Sequence, residues 1–354
     1  MFVPVSGAFG MGEYARSLAI ARQAAARWPG AAIQFILSRE APYAALTPFP
    51  ATLLASSPTF HSAAVVALIE RWRPDLVIFD NAGRTAQLRA AKRAGAGVVY
   101  ISARRRQRRK AFRMRWMRLI DEHWIAYPEF VAGSLGFFER LKLRLMRRPR
   151  VRYLDVILAA GAAVGAARES MLTRIGVTAD DYVLVVPGGG TGHPGARDAV
   201  AQFRDAALSL AAAGVDSVLV AAGDAPPEAA ALPGTPHLRV LGSLPQPDLA
   251  ELMRAARVVV SNGGSTLLQA IGCARPCLAA PIAGDQEERI RRCVAAGAAL
   301  AVPLESAAIA AAAAALWADE AQREQLAGRA IALGLTDGLE VAMRGIHALL
   351  AKPR

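Results

Sequence analysis

The chain has 354 residues, room for two domains of ordinary size, and 54% of them are hydrophobic, which supports large buried cores. No apolar run approaches the ~20 residues that cross a bilayer, and Met1 to Ser6 lacks the basic region and long apolar segment of a secretory signal, so a cytoplasmic protein is expected. The formal net charge of +13 points to an anionic partner: nucleic acid, an anionic membrane surface or a phosphorylated substrate.

In chain order, Phe2 to Ser6 reads as a strand, Gly7 to Gly12 as a Gly-rich loop and Glu13 to Trp28 as a helix. Ala32 to Leu37 is the next strand, and Ser62 to Arg73 a helix; no motif explains Ser38 to Ser62 between them. Asp75 to Phe79 reads as a strand ending at Asp80, Thr85 to Ala94 as a helix, Gly97 to Ile101 and His123 to Ala126 as strands. The pattern then recurs. Tyr182 to Val186 is a strand, followed by the loop Gly188, Gly189, Gly190, Thr191, Gly192, His193. Ala199 to Ala213 is a helix, Ser217 to Ala221 and His237 to Leu241 are strands, and Pro247 to Ala256 is a helix. Ala307 to Trp317 and Leu339 to Ala351 are the last helices expected. Strands alternating with helices predict parallel sheets covered on both faces, in two α/β halves that meet between Val151 and Ala179.

Two basic runs interrupt the first half. Arg104 to Arg118 holds Arg104, Arg105, Arg108, Arg109 and Arg113, interleaved with Phe112, Met114, Trp116 and Met117. The other runs from Arg140 to Arg152. On a helix the first gives an apolar stripe edged by arginines, the pattern of a peripheral membrane helix; a solvated charged face and a nucleic-acid patch are the other readings, and no nucleic-acid module accompanies it. Cys273, Cys277 and Cys293 lack the second ligand pair of a metal site, so buried thiols and no metal are expected.

The most specific stretch starts with the apolar run Ala256 to Val260. It leads into Ser261-Asn262-Gly263-Gly264-Ser265-Thr266, and then Gln269. A strand, a Gly-Gly turn and a helix start together form an anion site, because backbone N–H groups converge where the helix dipole favours negative charge. A second strand, Cys277 to Pro281, delivers Asp285 and Gln286, short polar side chains suited to hydroxyl groups. Phosphate and polyol recognition side by side suggests a nucleotide sugar.

Ser261 to Gly297 resembles the donor-binding signature of the GT-B glycosyltransferases. Among these are the peptidoglycan N-acetylglucosaminyltransferase that makes lipid II, the UDP-glycosyltransferases and the UDP-sugar hydrolase of pseudaminic acid synthesis. The resemblance implies an α/β GT-B fold, with two Rossmann-like parallel-sheet domains facing a central cleft. Their expected extents are 1–155 on the acceptor side and 156–335 for the nucleotide sugar, with 336–354 returning to the first domain. It also implies that Gly188 to His193 contacts the pyrophosphate, that Gly242 to Pro245, with Leu244, contacts the base, and that Asp285 and Gln286 read the sugar. The family's acidic ribose ligand is matched by Gln269, which accepts from a hydroxyl but carries no charge. Asn262 stands where some relatives carry histidine or arginine.

In the first half, Gly10, Gly12, Glu13 and Arg16 resemble the hydrolase's G-x-G-H-x-x-R loop. Glu13 takes the histidine's place. Ionised and in reach it would deprotonate the acceptor; a carboxylate is also favoured there simply as a helix start. Arg16 is expected to steer phosphate or acceptor, and Asp80, at a strand end, to bind acceptor or cap its turn. Together these imply metal-independent, inverting transfer of a hexosyl or N-acetylhexosaminyl group from a nucleoside diphosphate donor, UDP first, to a hydroxyl acceptor, lipid-linked or membrane-associated, with no cofactor. The alternatives are hydrolysis on the same fold and a non-catalytic GT-B-like protein.

Overall fold

The computed structural model describes residues 1–8, 11–158, 166–188, 196–220, 230–231 and 235–351. The chain divides into two compact units, Met1–Ile157 with Thr336–Arg354, and Leu158–Leu335. Among the described residues no helix is long and apolar enough to cross a membrane.

The first unit is built on strands β1 (Phe2–Pro4), β2 (Phe35–Ser38), β3 (Ala51–Leu54), β4 (Leu76–Asp80), β5 (Gly97–Ser102), β6 (Glu122–Ile125) and β7 (Arg150–Tyr153). They pair in the order β3-β2-β1-β4-β5-β6-β7, all parallel. The central strands are apolar at successive positions because both faces are covered. Ile78, Val99, Ile101 and Trp124 point into one core, and Val77, Phe79, Val98 and Tyr100 into the other. Two strands lie where none was expected. β3 falls inside the unexplained stretch after Ser38, and its half-buried positions give no clear alternation. β7 sits in the second basic run; as an edge strand it tolerates Arg150 and Arg152, and Arg152 makes a two-point ion pair with Glu122 at 2.7 and 2.9 Å. The last helix, Gly338–Leu350, contributes Leu339, Met343 and Ile346 to the first of these cores.

The first arginine run is not one surface helix. It forms two short helices, Arg105–Ala111 and Met114–Met117, and the interleaved apolar residues are what fix them to the sheet. Trp116 is 0% exposed, stands edge-on to Tyr100 with ring centres 5.2 Å apart, and donates from Nε1 to Thr85 Oγ1 at 3.1 Å. Trp116 is therefore core, not membrane surface. Arg108 is also buried, and pairs with Glu139 at 2.7 Å. Arg104, Arg105, Arg109 and Arg113 are exposed.

The second unit holds β8 (Val183–Val186), β9 (Ser217–Val220), β10 (Ala230–Ala231), β11 (Leu238–Leu241), β12 (Val258–Asn262), β13 (Cys277–Ala280) and β14 (Leu300–Ala301), in the order β10-β11-β9-β8-β12-β13-β14. All pairs are parallel except the antiparallel β10–β11 edge. Val183, Val185, Val258, Val260 and Leu278 pack against Phe203, Ile309 and Leu316 from two helices.

Each sheet has one place where the chain reverses direction across it. In the first, β1 leads outward to β2 while β4 returns on the other side; in the second, β8 leads to β9 and β12 returns. Sheets of this kind bind ligands beyond the carboxyl ends of the strands flanking such a reversal, here β1 and β4, and β8 and β12.

Candidate functional site

At the first reversal, Asp80 ends β4 and Asn81 follows in a left-handed conformation, φ +52°. That turn aims the two side chains differently. Asn81 Oδ1 accepts from the Ala103 N–H at 2.8 Å, while its Nδ2 donates to Glu13 Oε1 at 2.8 Å. Glu13 lies in the first turn of the helix Gly12–Arg27 and is half-buried. Among the described residues its other oxygen accepts no hydrogen bond, so one oxygen is anchored and the other is available for a proton.

Asp80 is turned the other way, fully buried, and held by Arg16 through Nε at 2.8 Å and Nη2 at 2.6 Å. Burial pushes the Asp80 carboxyl up, to about 6, against the pull of the Arg16 charge. Arg16 is 7% exposed and committed to this pair. The structure thus corrects two expectations: Arg16 and Asp80 bind each other under the helix rather than facing a ligand. Tyr14 stacks on Tyr43 beside them, ring centres 4.1 Å apart. Gly12 opens the helix with open space where a Cβ would stand; Gly10 lies outside the described residues.

At the second reversal, Asn262 ends β12 and ties three segments together. Its Nδ2 donates to the Pro187 carbonyl at 2.6 Å, and its Oδ1 accepts from the Gly264 N–H at 2.7 Å. A Cβ on Gly188, whose φ is +87°, would stand 2.1 Å from Asn262 Nδ2, and one on Gly264 2.7 Å from its Oδ1. Both positions require glycine for the asparagine to reach across. Gln286 completes the brace: its Oε1 accepts from the Gly263 N–H at 3.1 Å and the Ile282 N–H at 3.0 Å, joining the loops after β12 and β13.

The two glycine amides are therefore consumed in holding the turn. The N–H groups left for an anion are those of Ser265, Thr266 and Leu267, in the first turn of the helix Ser265–Gly272, where no intrahelical carbonyl reaches them. Asp285 is exposed and pairs with Arg289 at 3.2 Å; buried Arg289 also donates to the Gly263 carbonyl. Gln269 donates from Nε2 to Gln246 Oε1 at 3.3 Å. Gln246 opens the helix that follows Gly242 and Leu244, so the segments matched to ribose and base contact lie side by side. Gly189, Gly190, Thr191, Gly192 and His193 lie outside the described residues.

Sequence reading missed Asn81, Gln246 and Arg289. Asn81 alone left a signal, a small amide directly after a strand end, where left-handed backbone is tolerated.

No family model matches the sequence, and no curated protein matches it. Solved structures do match over nearly the whole chain. A UDP-glucosyltransferase from Polygonum tinctorium capable of glucosylating indoxyl has a TM-score of 0.67 at 13% identity, covering 99% of each chain. The calicheamicin glycosyltransferase CalG4 has a TM-score of 0.61 at 18% identity, covering 99% of this chain and 98% of that one. The glycosyltransferase VinC in complex with dTDP has a TM-score of 0.63 at 14% identity, with the same coverage. At these identities the likeness establishes the fold: the chain has the GT-B glycosyltransferase fold, as the signature in its second half implied.

Proposed function

We propose that the protein transfers a sugar from a nucleoside diphosphate donor, with uracil or thymine as base, to a hydroxyl acceptor. One observation carries the reading: in each unit a segment matched to the family's site, Gly12 and Glu13 after β1 in the first and Asn262 to Thr266 after β12 in the second, follows a strand at which the sheet reverses, the place such sheets bind ligands. The donor belongs to the second unit. Its diphosphate takes the amides of Ser265, Thr266 and Leu267 with those of the loop that begins at Gly188; its ribose takes Gln269 and its sugar Asp285. Gln286 acts chiefly by bracing. The likeness to VinC, solved with dTDP, and to the UDP-glucosyltransferase supports a pyrimidine donor.

The acceptor belongs to the first unit. Its hydroxyl oxygen attacks the anomeric carbon as Glu13 takes the proton, the bond from that carbon to the phosphate oxygen breaks, and the configuration inverts. Charge gathers on the departing diphosphate and is offset by the helix-start amides, a contribution that often dominates catalysis. No step calls on a metal, so chelation should leave the rate unchanged.

The test is a melting-temperature screen with UDP-, dTDP- and GDP-sugars, followed by detection of nucleoside diphosphate release with a phenol or macrolide hydroxyl acceptor. A ligand that binds only the folded state raises the melting temperature. A rise with UDP- or dTDP-sugars and acceptor-dependent release support transfer. Release without any acceptor assigns hydrolysis, and no rise with any donor refutes a working donor site.

A further inference from the structure

The helix Phe137–Met146 in the first unit has its polar side inward. Glu139 receives Nε and Nη2 of buried Arg108 at 3.1 and 2.7 Å, and Lys142 Nζ donates to the Phe112 carbonyl at 3.3 Å. The same Arg108 donates to the Ala132, Gly133 and Ser134 carbonyls at 3.1, 2.6 and 2.8 Å, fixing the approach to the helix. Those contacts hold the helix on the body by its charged residues.

Four of its six large apolar residues face solvent instead: Phe137, Phe138, Leu141 and Leu145 are 69%, 72%, 50% and 71% exposed, while Leu143 and Met146 are half-buried on the side of Glu139. At about 100° per residue these four fall within one arc of about 100°, a continuous stripe rather than scattered exposure. Phe137 and Phe138 stand edge-to-face, ring centres 5.5 Å apart, so the aromatic end of the stripe is packed upon itself. Exposed Arg140 and Arg144 border the stripe, and the short helix Met114–Met117 packed beside it adds exposed Arg113 and Arg115.

An apolar stripe edged by arginines fits a surface that is oily within and negative above. A second copy would set arginines against arginines, and a nucleic acid would leave the leucines against phosphate. We propose that this helix docks the protein flat on an anionic lipid bilayer, with Phe137, Phe138, Leu141 and Leu145 in the acyl boundary and the arginines on lipid phosphates. The ten-residue helix is too short to span and long enough to lie in the interface.

The full chain is sedimented with vesicles of phosphatidylcholine, with and without phosphatidylglycerol. Binding to the anionic vesicles should exceed binding to neutral ones by roughly tenfold or more and weaken with salt. The variant Phe137→Ser/Phe138→Ser/Leu141→Ser should lose about tenfold or more of it with its melting temperature unchanged. Arg140→Glu/Arg144→Glu, which keeps the stripe, should lose the anionic preference. No binding to the anionic vesicles, or equal binding by the serine variant, overturns the proposal. So does a concentration-dependent dimer that the serine variant abolishes, which would assign the stripe to a second copy. Binding is read without turnover, so its failure leaves the proposed sugar transfer standing.

Discussion

Two carboxylates near one strand end have opposite tasks, and the difference lies in their neighbours. Glu13 is tethered through one oxygen to a neutral amide, whereas Asp80 is buried against a guanidinium. Glu13→Gln keeps the shape and removes the base. It should lower kcat by about a hundredfold or more while leaving the donor-induced melting shift intact. Asp80→Ala should instead strand Arg16 and cost about 3–5 kcal/mol, read as a lowered urea midpoint. A variant at Glu13 that loses stability, or one at Asp80 that loses only rate, would reverse these assignments. A third titrating group bears on acid stability. His123 is fully buried, Nε2 at 2.8 Å from Ser102 Oγ, and burial lowers it from 6.5 to about 3. The unfolded chain takes up the proton near 6.5 and the folded one only near 3, so the stability held above 6.5 is lost progressively as pH falls between these values. The slope approaches about 1.4 kcal/mol per pH unit. His123→Asn should flatten the fall in melting temperature between pH 6.5 and 5; an unchanged profile would clear His123 of that role.

At the scale of elements, what holds the donor-side turn is Asn262 from the end of β12 with Gln286 and Arg289 from the helix Gly284–Ala295. Gln286→Ala leaves the Gly263 and Ile282 amides without their acceptor and should cost about 1–3 kcal/mol and weaken donor binding with it. Gln286→Glu keeps an acceptor oxygen and should retain the fold, with calorimetry and donor titration as the readouts. Equal donor binding by the Ala variant would show that the brace is dispensable. The strand before this turn was legible because Val258–Val260 is a buried apolar run closed by two glycines, and every part of the motif lies within a few residues of the next. The brace was not legible as a brace, since Gln286 reads equally well as a sugar ligand until its oxygen is seen against amides 4 and 23 residues away. The arginine run failed for a related reason. Its spacing showed that Phe112 and Trp116 share a side, but not whether that side meets lipid or protein. Arg108 is buried because Glu139, 31 residues on, and the carbonyls of Ala132, Gly133 and Ser134 meet it. The true exposed stripe on Phe137–Met146 was hidden because an apolar face ordinarily signals core, and here polar contacts hold the opposite side.

At the scale of the whole molecule, the second unit is an insertion into the first. The chain leaves at Ile157 and re-enters at Thr336, where Asp155 accepts from the Thr336 N–H at 3.0 Å and its hydroxyl at 2.6 Å, and Val156 bridges Asp337. The first unit is therefore complete only when its final helix has docked, after the entire second unit in sequence. That docking rests on a close approach at Gly345. A Cβ there would stand 2.6 Å from Glu122 Oε2 and 2.7 Å from Trp124 Cζ2. Neither neighbour can give way cheaply, because Glu122 Oε2 accepts from Trp124 Nε1 at 2.6 Å and from Arg152 Nε at 2.7 Å. Gly345→Val should force the helix off this network and destabilise the first unit by about 1–3 kcal/mol or more. A matched change isolates the cause. Gly328 also lies inside a helix, Glu320–Ala332, but nothing stands within 4 Å of its Cβ position. Gly328→Ala should stabilise the second unit by about 0.5–1 kcal/mol through helix propensity alone. Hydrogen exchange resolved along the chain should show faster exchange in Met1–Ile157 for the first variant and slower exchange around Gly328 for the second. If Gly345→Val leaves exchange in the first unit unchanged, the closing helix is an appendage rather than part of that unit's core.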